Sequence, residues 1–186
     1  MVSLPSLWLP ILLSTVGVFV ASSLIHMVLK YHAADYRQIP NEDAVRAAMR
    51  AGSPAPGQYY IPWAADMAAL KGDEMKRKLA EGPVAVVHVG PNGEPGMGAA
   101  FGAWIAFALV VSLLIAYVAS ATLPRGTEYL KVFQVTGTVG WLAYASAQVP
   151  ASIWMKKPWS VTWKEVLDGL IYGLVTAGFF GWLWPR

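Results

Sequence analysis

Four long apolar runs mark this chain, at residues 7–29, 98–123, 130–154 and 166–184, and a polar stretch over 30–97 separates the first from the second. A helix crosses a hydrocarbon core of ~30 Å with ~20 residues, and each run approaches or exceeds that length. The pattern predicts a membrane all-α fold, with four transmembrane helices and a small α+β extramembrane insert between helices 1 and 2. The first run imitates a secretory signal, with Ala21-Ser22-Ser23 placed like a cleavage site. No Lys or Arg precedes it, and it exceeds the roughly 7–15 apolar residues of such signals, so it reads as a retained helix.

Within the insert, Asn41 is placed to cap a helix over Glu42–Arg50, whose acidic pair suits the positive helix end. Gly52 stops that helix, and residues 53–57 (Ser-Pro-Ala-Pro-Gly) form a turn. Gln58–Ile61 and the β-branched run Val84–Val89 read as strands that pair, with a second helix over Asp73–Ala80 between them. Two strands alone are marginal, so the pair needs support from helices, lipid headgroups or a partner.

Small residues recur at every fourth position in the apolar runs. Gly98, Gly102 and Ala106 form one row, Ala108, Ser112 and Ala116 the next, and Gly169 with Gly173 makes a GxxxG pair. Such rows let helix backbones approach closely in lipid, where apolar side chains gain nothing from merely leaving the solvent.

Composition sharpens this picture. The 186 residues are 56% hydrophobic and 13% charged, with nine Trp and eight Tyr, rings that favour the membrane–water boundary. The absence of cysteine excludes disulfides, thiolate zinc sites, iron–sulfur clusters and covalent haem attachment. The net charge of +3 does not come from the insert, which holds eight basic and eight acidic residues; the excess sits in short loops and ends, at Arg125, Lys131, Lys156, Lys157, Lys164 and Arg186. That is a topology pattern and not a nucleic-acid footprint. The positive-inside bias puts the insert in the cytoplasm and both termini outside.

Candidate chemistry is sparse. His26 alone among the histidines lies in a span, where it is a candidate axial ligand for a haem or chlorin, against the plainer role of a hydrogen-bonded interfacial side chain. His32 follows six residues later, off the spacing of one helical face, and His88 falls in a strand, so the histidines show no metal-ligand pattern and no metal is expected. Gln134, Thr138, Gln148 and Asp168 are the polar intramembrane candidates. The glutamines read as interhelical hydrogen-bond partners, and Asp168 reads as a favourable charge in a helix first turn. No phosphate loop, GxSxG or HExxH pattern is present. No cofactor is encoded by a motif, which leaves lipid or pigment contact as the only expectation of that kind.

The sequence Ser22-Ser23-Leu24-Ile25-His26-Met27, followed by Pro40-Asn41-Glu42-Asp43-Ala44-Val45-Arg46, Glu81-Gly82-Pro83-Val84-Ala85-Val86, Pro158-Trp159-Ser160 and Asp168-Gly169-Leu170-Ile171-Tyr172, resembles a family of bacterial four-span membrane proteins without an established activity. The resemblance covers nearly the whole chain. It implies a bacterial inner-membrane location and transfers no functional residues. Together these readings favour a non-catalytic accessory subunit of a larger membrane complex, respiratory or photosynthetic, with lipid and other subunits as partners. The alternatives are a small transporter or channel built on Gln134, Gln148 and Asp168, or a membrane enzyme acting on a lipid or quinone.

Overall fold

A computed structural model describes residues 2–94 and 96–186. The chain divides into two compact units, residues 1–36 with 96–186, and residues 37–95.

The first unit is helical. A 3-10 turn at Leu4–Leu7 leads into α1 (Trp8–Ser23), which ends in a π-helical turn at Leu24–Leu29. In this unit α5 spans Met97–Thr122, α6 Tyr129–Ala145, α7 Gln148–Trp154 and α8 Trp159–Trp182. Two stretches, Leu4–Leu29 and Met97–Thr122, are long and apolar enough to cross a membrane. The run read from sequence as one helix over 130–154 is two helices, because Pro150 has no N–H for the Ser146 carbonyl and its ring would crowd that carbonyl. Pro150 fits instead into the first turn of α7, where a missing donor costs nothing.

The long helices run antiparallel to their neighbours. Ser14 Oγ of α1 lies 3.1 Å from Ser112 Oγ of α5, and Trp104 of α5 donates from Nε1 to Ser22 Oγ at 2.9 Å. The α6–α8 pair is the closest. A Cβ on Gly169 would stand 2.8 Å from Ala145 Cβ, and one on Gly173 2.8 Å from the Trp141 backbone nitrogen. Of the small-residue rows, Gly169 and Gly173 therefore make a helix contact, and Ala108, Ser112 and Ala116 are fully buried. Gly98, Gly102 and Ala106 are exposed, and the two glycines have nothing within 4 Å of an added Cβ.

The interior of this unit is largely apolar, with Leu7, Val18, Ile115, Val132 and Phe180 buried, and its outer surface is apolar as well, unlike that of a water-soluble bundle. Ser14, Ser112, Thr136 and Thr176 are fully buried, while Leu12, Val16, Val110, Leu114, Leu130, Leu142, Leu170 and Leu174 are exposed. The buried hydroxyls of Ser14, Thr136 and Thr176 donate to carbonyls four residues back in their own helices, so they need no water.

The second unit holds α2 (Glu42–Gly52), β1 (Gly57–Ile61), α3 (Met67–Lys71), α4 (Asp73–Glu81) and β2 (Ala85–Val89). The strands pair antiparallel, with Tyr59 opposite Val87. Asn41 is left-handed and makes no side-chain cap, contrary to the sequence reading. Asp66 is the capping side chain here, accepting from the Ala69 N–H at 2.7 Å and starting a helix that the sequence reading lacks.

The α6–α8 contact makes a clear expectation. Gly173→Ala drives a methyl into the Trp141 backbone, which cannot rotate away, and destabilises the protein by about 1–3 kcal/mol. Gly178→Ala, with nothing within 4 Å, is neutral or stabilising by up to ~1 kcal/mol. Thermal unfolding of the two variants in detergent, followed by circular dichroism, separates them.

Candidate functional site

The polar groups of the first unit converge where the chain leaves α1 and meets the first half of α8. The approach is built by backbone geometry. A π turn widens the helix over Leu24–Leu29, and Lys30 then adopts a left-handed conformation with φ 53°. A 3-10 turn at Ala33–Asp35 follows, closed by the Asp35 N–H donating to the His32 carbonyl at 2.9 Å. This reversal returns the His32 ring to His26, with ring centroids 4.7 Å apart. Six residues on a straight helix would have kept them on different faces. π turns recur at functional sites because the extra residue re-aims side chains.

From the facing side, α8 supplies Lys164 and Asp168, one turn apart. Asp168 is buried, and each of its oxygens is engaged. The Tyr31 hydroxyl donates to Oδ1, and His32 Nε2 lies 2.8 Å from Oδ2. His26 Nε2 stands 3.9 Å from the same Oδ2. His32 is held from its other side, with Nδ1 2.8 Å from Asp35 Oδ2. Lys164 completes the group, donating to Asp35 Oδ1 at 2.5 Å and to the Tyr31 carbonyl at 2.8 Å. The Lys164 ammonium is the main influence on Asp35 and holds its carboxyl below the usual carboxylate range, against burial and with help from His32. An ionised Asp35 only accepts, so His32 Nδ1 carries its proton toward it and Nε2 is the nitrogen turned to Asp168.

Exposure within the group is uneven. The Asp168 side chain is 5% exposed and that of His26 is 51% exposed. His26 also borders an apolar groove of about 280 Å³ shared with Phe19, Met27, Phe101 and Trp104. One nitrogen from each histidine and one Asp168 oxygen lie within 4.8 Å of one another. Chemically, this is a carboxylate with two imidazoles and a phenol around it, reachable along one side. It is able to hold a proton or a cation.

The remaining sequence candidates lie elsewhere. Gln134 and Thr138 are exposed on α6, beside a groove of about 370 Å³ lined by Leu130, Trp141 and Leu174. Thr138 donates to the Gln134 carbonyl at 2.7 Å. Gln148 is the first residue of α7, just past the break after α6, and accepts from Lys157, which also pairs with Glu165. The polar path that the transporter alternative needs through Gln134, Thr138 and Gln148 is interrupted by the break after α6, and Asp168 is not part of it. His88 is exposed on β2, opposite Gln58. Tyr31, Asp35 and Lys164 were not singled out from sequence. Tyr31 and Asp35 show there only as part of a dense run of polar and aromatic residues directly after an apolar segment, and Lys164 only as one of the basic residues outside the insert.

Acid titration tests the Asp35 tie. Because folding lowers the Asp35 pKa, its contribution is present above the ordinary carboxylate value of ~4 and is lost as pH falls through the lower folded value. Asp35→Asn is expected to lower the unfolding midpoint at pH 7 and to flatten its fall between pH 5 and pH 3, measured by thermal denaturation in detergent. Equal acid limbs for the two proteins would remove Asp35 from the linkage.

Comparison with models of protein families, with curated proteins and with solved structures finds no match. The chemistry of this site is read from its own residues.

Proposed function

We propose that this chain is a four-span protein of the bacterial inner membrane and a non-catalytic subunit of a larger membrane assembly. The observation that carries the membrane reading is the apolar outer surface of the helical unit, where large aliphatic side chains are exposed while several hydroxyls are buried. Water would penalise that surface; lipid would not. Two stretches have the length and composition of spans. In the proposed topology α6 with α7 forms the third crossing and α8 the fourth. The insert then faces the cytoplasm with the turn before α8, and both termini face outward.

Support for a subunit role comes from α5. Gly98, Gly102 and Ala106 make an exposed row of small residues, and an added Cβ on either glycine meets nothing within 4 Å. In lipid such a row is a place for another helix to approach. An energy-transducing complex is the natural host on this reading. The transporter alternative gains nothing from the geometry, since Gln134 and Thr138 lie on an outer face and the oxygens of Asp168 are engaged by Tyr31 and His32 instead.

Both parts are testable. The absence of cysteine allows single introduced thiols to report their side without background. Four spans place Thr127→Cys and Ser160→Cys on opposite sides of the membrane, so an impermeant maleimide labels only Thr127→Cys in intact cells. Labelling of both from one side would mean that α6 with α7 does not cross. For the subunit role, mild-detergent extraction is expected to give a particle much larger than 20.1 kDa. Gly102→Leu is expected to release the chain from it while preserving helicity. A solitary wild-type particle would end that reading.

A further inference from the structure

We propose that His26, His32 and Asp168 form a binding site for a divalent first-row transition-metal ion of the zinc class, with at least one coordination position left open. The inference does not depend on the subunit role.

Three features carry it. The first is the donor set: two imidazoles and one carboxylate, each offering an atom within 4.8 Å of the others. Ligand atoms at ~2.0–2.1 Å from a tetrahedral zinc lie ~3.3 Å apart. His32 Nε2 and Asp168 Oδ2, at 2.8 Å, are already inside that spacing. His26 Nε2, at 3.9 Å from Asp168 Oδ2, needs to close by about half an ångström. Its side chain is half exposed and sits on a π turn, so the ring has room to turn toward the other two ligands.

The second is the set of partners behind the ligands. Metal-binding histidines give their other ring N–H to a carboxylate, which fixes the tautomer and raises ligand basicity. His32 has this arrangement, with Nδ1 on Asp35 and Asp35 anchored in turn by Lys164. The Tyr31 hydroxyl occupies the other oxygen of Asp168, so Oδ2 is the oxygen turned to both histidines. A hydrogen-bonded tie between helix ends needs none of this alignment toward one point.

The third is access. The buried face of the site is closed by Asp168 and Tyr31, while His26 borders the groove with Phe19 and Trp104. An ion can enter past His26, and three protein donors leave room for water or another ligand, as in zinc sites that are not purely structural. Imidazole with carboxylate suits zinc, iron, cobalt or nickel rather than calcium or magnesium, and the chain has no thiolate to compete. On binding, the ion takes the place of the proton shared between His32 Nε2 and Asp168 Oδ2, which leaves to solvent.

The test uses the full chain in detergent, purified with a histidine-free tag and stripped with EDTA. Cobalt(II) titration followed by visible d–d absorption is expected to saturate at one ion per chain, and zinc(II) is expected to displace it. His26→Ala and His32→Ala are each expected to weaken binding by at least tenfold, and Asp35→Asn by about tenfold through its hold on His32. His88→Ala is expected to leave affinity unchanged. Far-UV circular dichroism and particle size identify any variant that fails to fold, and half-exposed His26 is the position where substitution disturbs packing least. Absence of saturable one-to-one binding by the wild type would overturn the proposal. So would full affinity in folded His26→Ala and His32→Ala proteins.

Discussion

A carboxylate set into a helix bundle has to be met by donors, because leaving it unpaired away from water costs several kcal/mol. Asp168 imposes that constraint here. It is buried in the first half of α8, and the ammonium one turn before it, Lys164, is committed to Asp35 and the Tyr31 carbonyl. The donors come from the segment just after α1, through the Tyr31 hydroxyl and the His32 ring. Satisfying one side chain thus brings two segments, more than a hundred residues apart in sequence, to the same place. The π turn, left-handed Lys30 and 3-10 turn are the backbone's means of getting them there. A left-handed lysine is strained by about 1–2 kcal/mol, and the contacts that follow it offset that strain.

The same α8 is held from its other side by backbone proximity. Gly169 and Gly173 allow α6 to approach so closely that a methyl group would collide with Ala145 or with the Trp141 backbone. Van der Waals packing along this contact fixes the position of α8, and with it the positions of Lys164 and Asp168. The chemistry at one end of the helix therefore rests on the glycine packing farther along it. Lys164 bonds to the Tyr31 carbonyl as well as to Asp35, so even the turn's backbone is fastened to α8.

This arrangement separates two faces with different uses. The outer face of the helices is aliphatic, with an uncovered row of small residues on α5, and suits lipid and other helices. The end of the bundle near His26 is polar, cross-linked and open along one side. A subunit role draws on the first, and ion binding draws on the second. Nothing in the geometry sets them against each other, since the α5 row and the His26 cluster use different residues.

The sequence by itself determined the mostly helical character, two stretches with the length and apolarity of spans, and the paired strands of the insert. These follow from local quantities: run length, β-branched content, and the turn residues at Gly52, Gly82 and Gly93. It also marked Gly169 and Gly173 as contact residues, because a GxxxG spacing keeps small residues on one face whatever the partner. The break at Ser146 was legible in Pro150, whose missing N–H acts locally, but the length of the apolar run hid it. The cluster was not legible. Judged on an ideal helix, His26 and His32 fall on different faces, and only a π turn followed by a left-handed residue reunites them. Which small-residue row is buried, and which donors Asp168 finds, were likewise decided by tertiary structure. Both depend on which helix lies alongside, and periodicity along one segment carries no information about its neighbour.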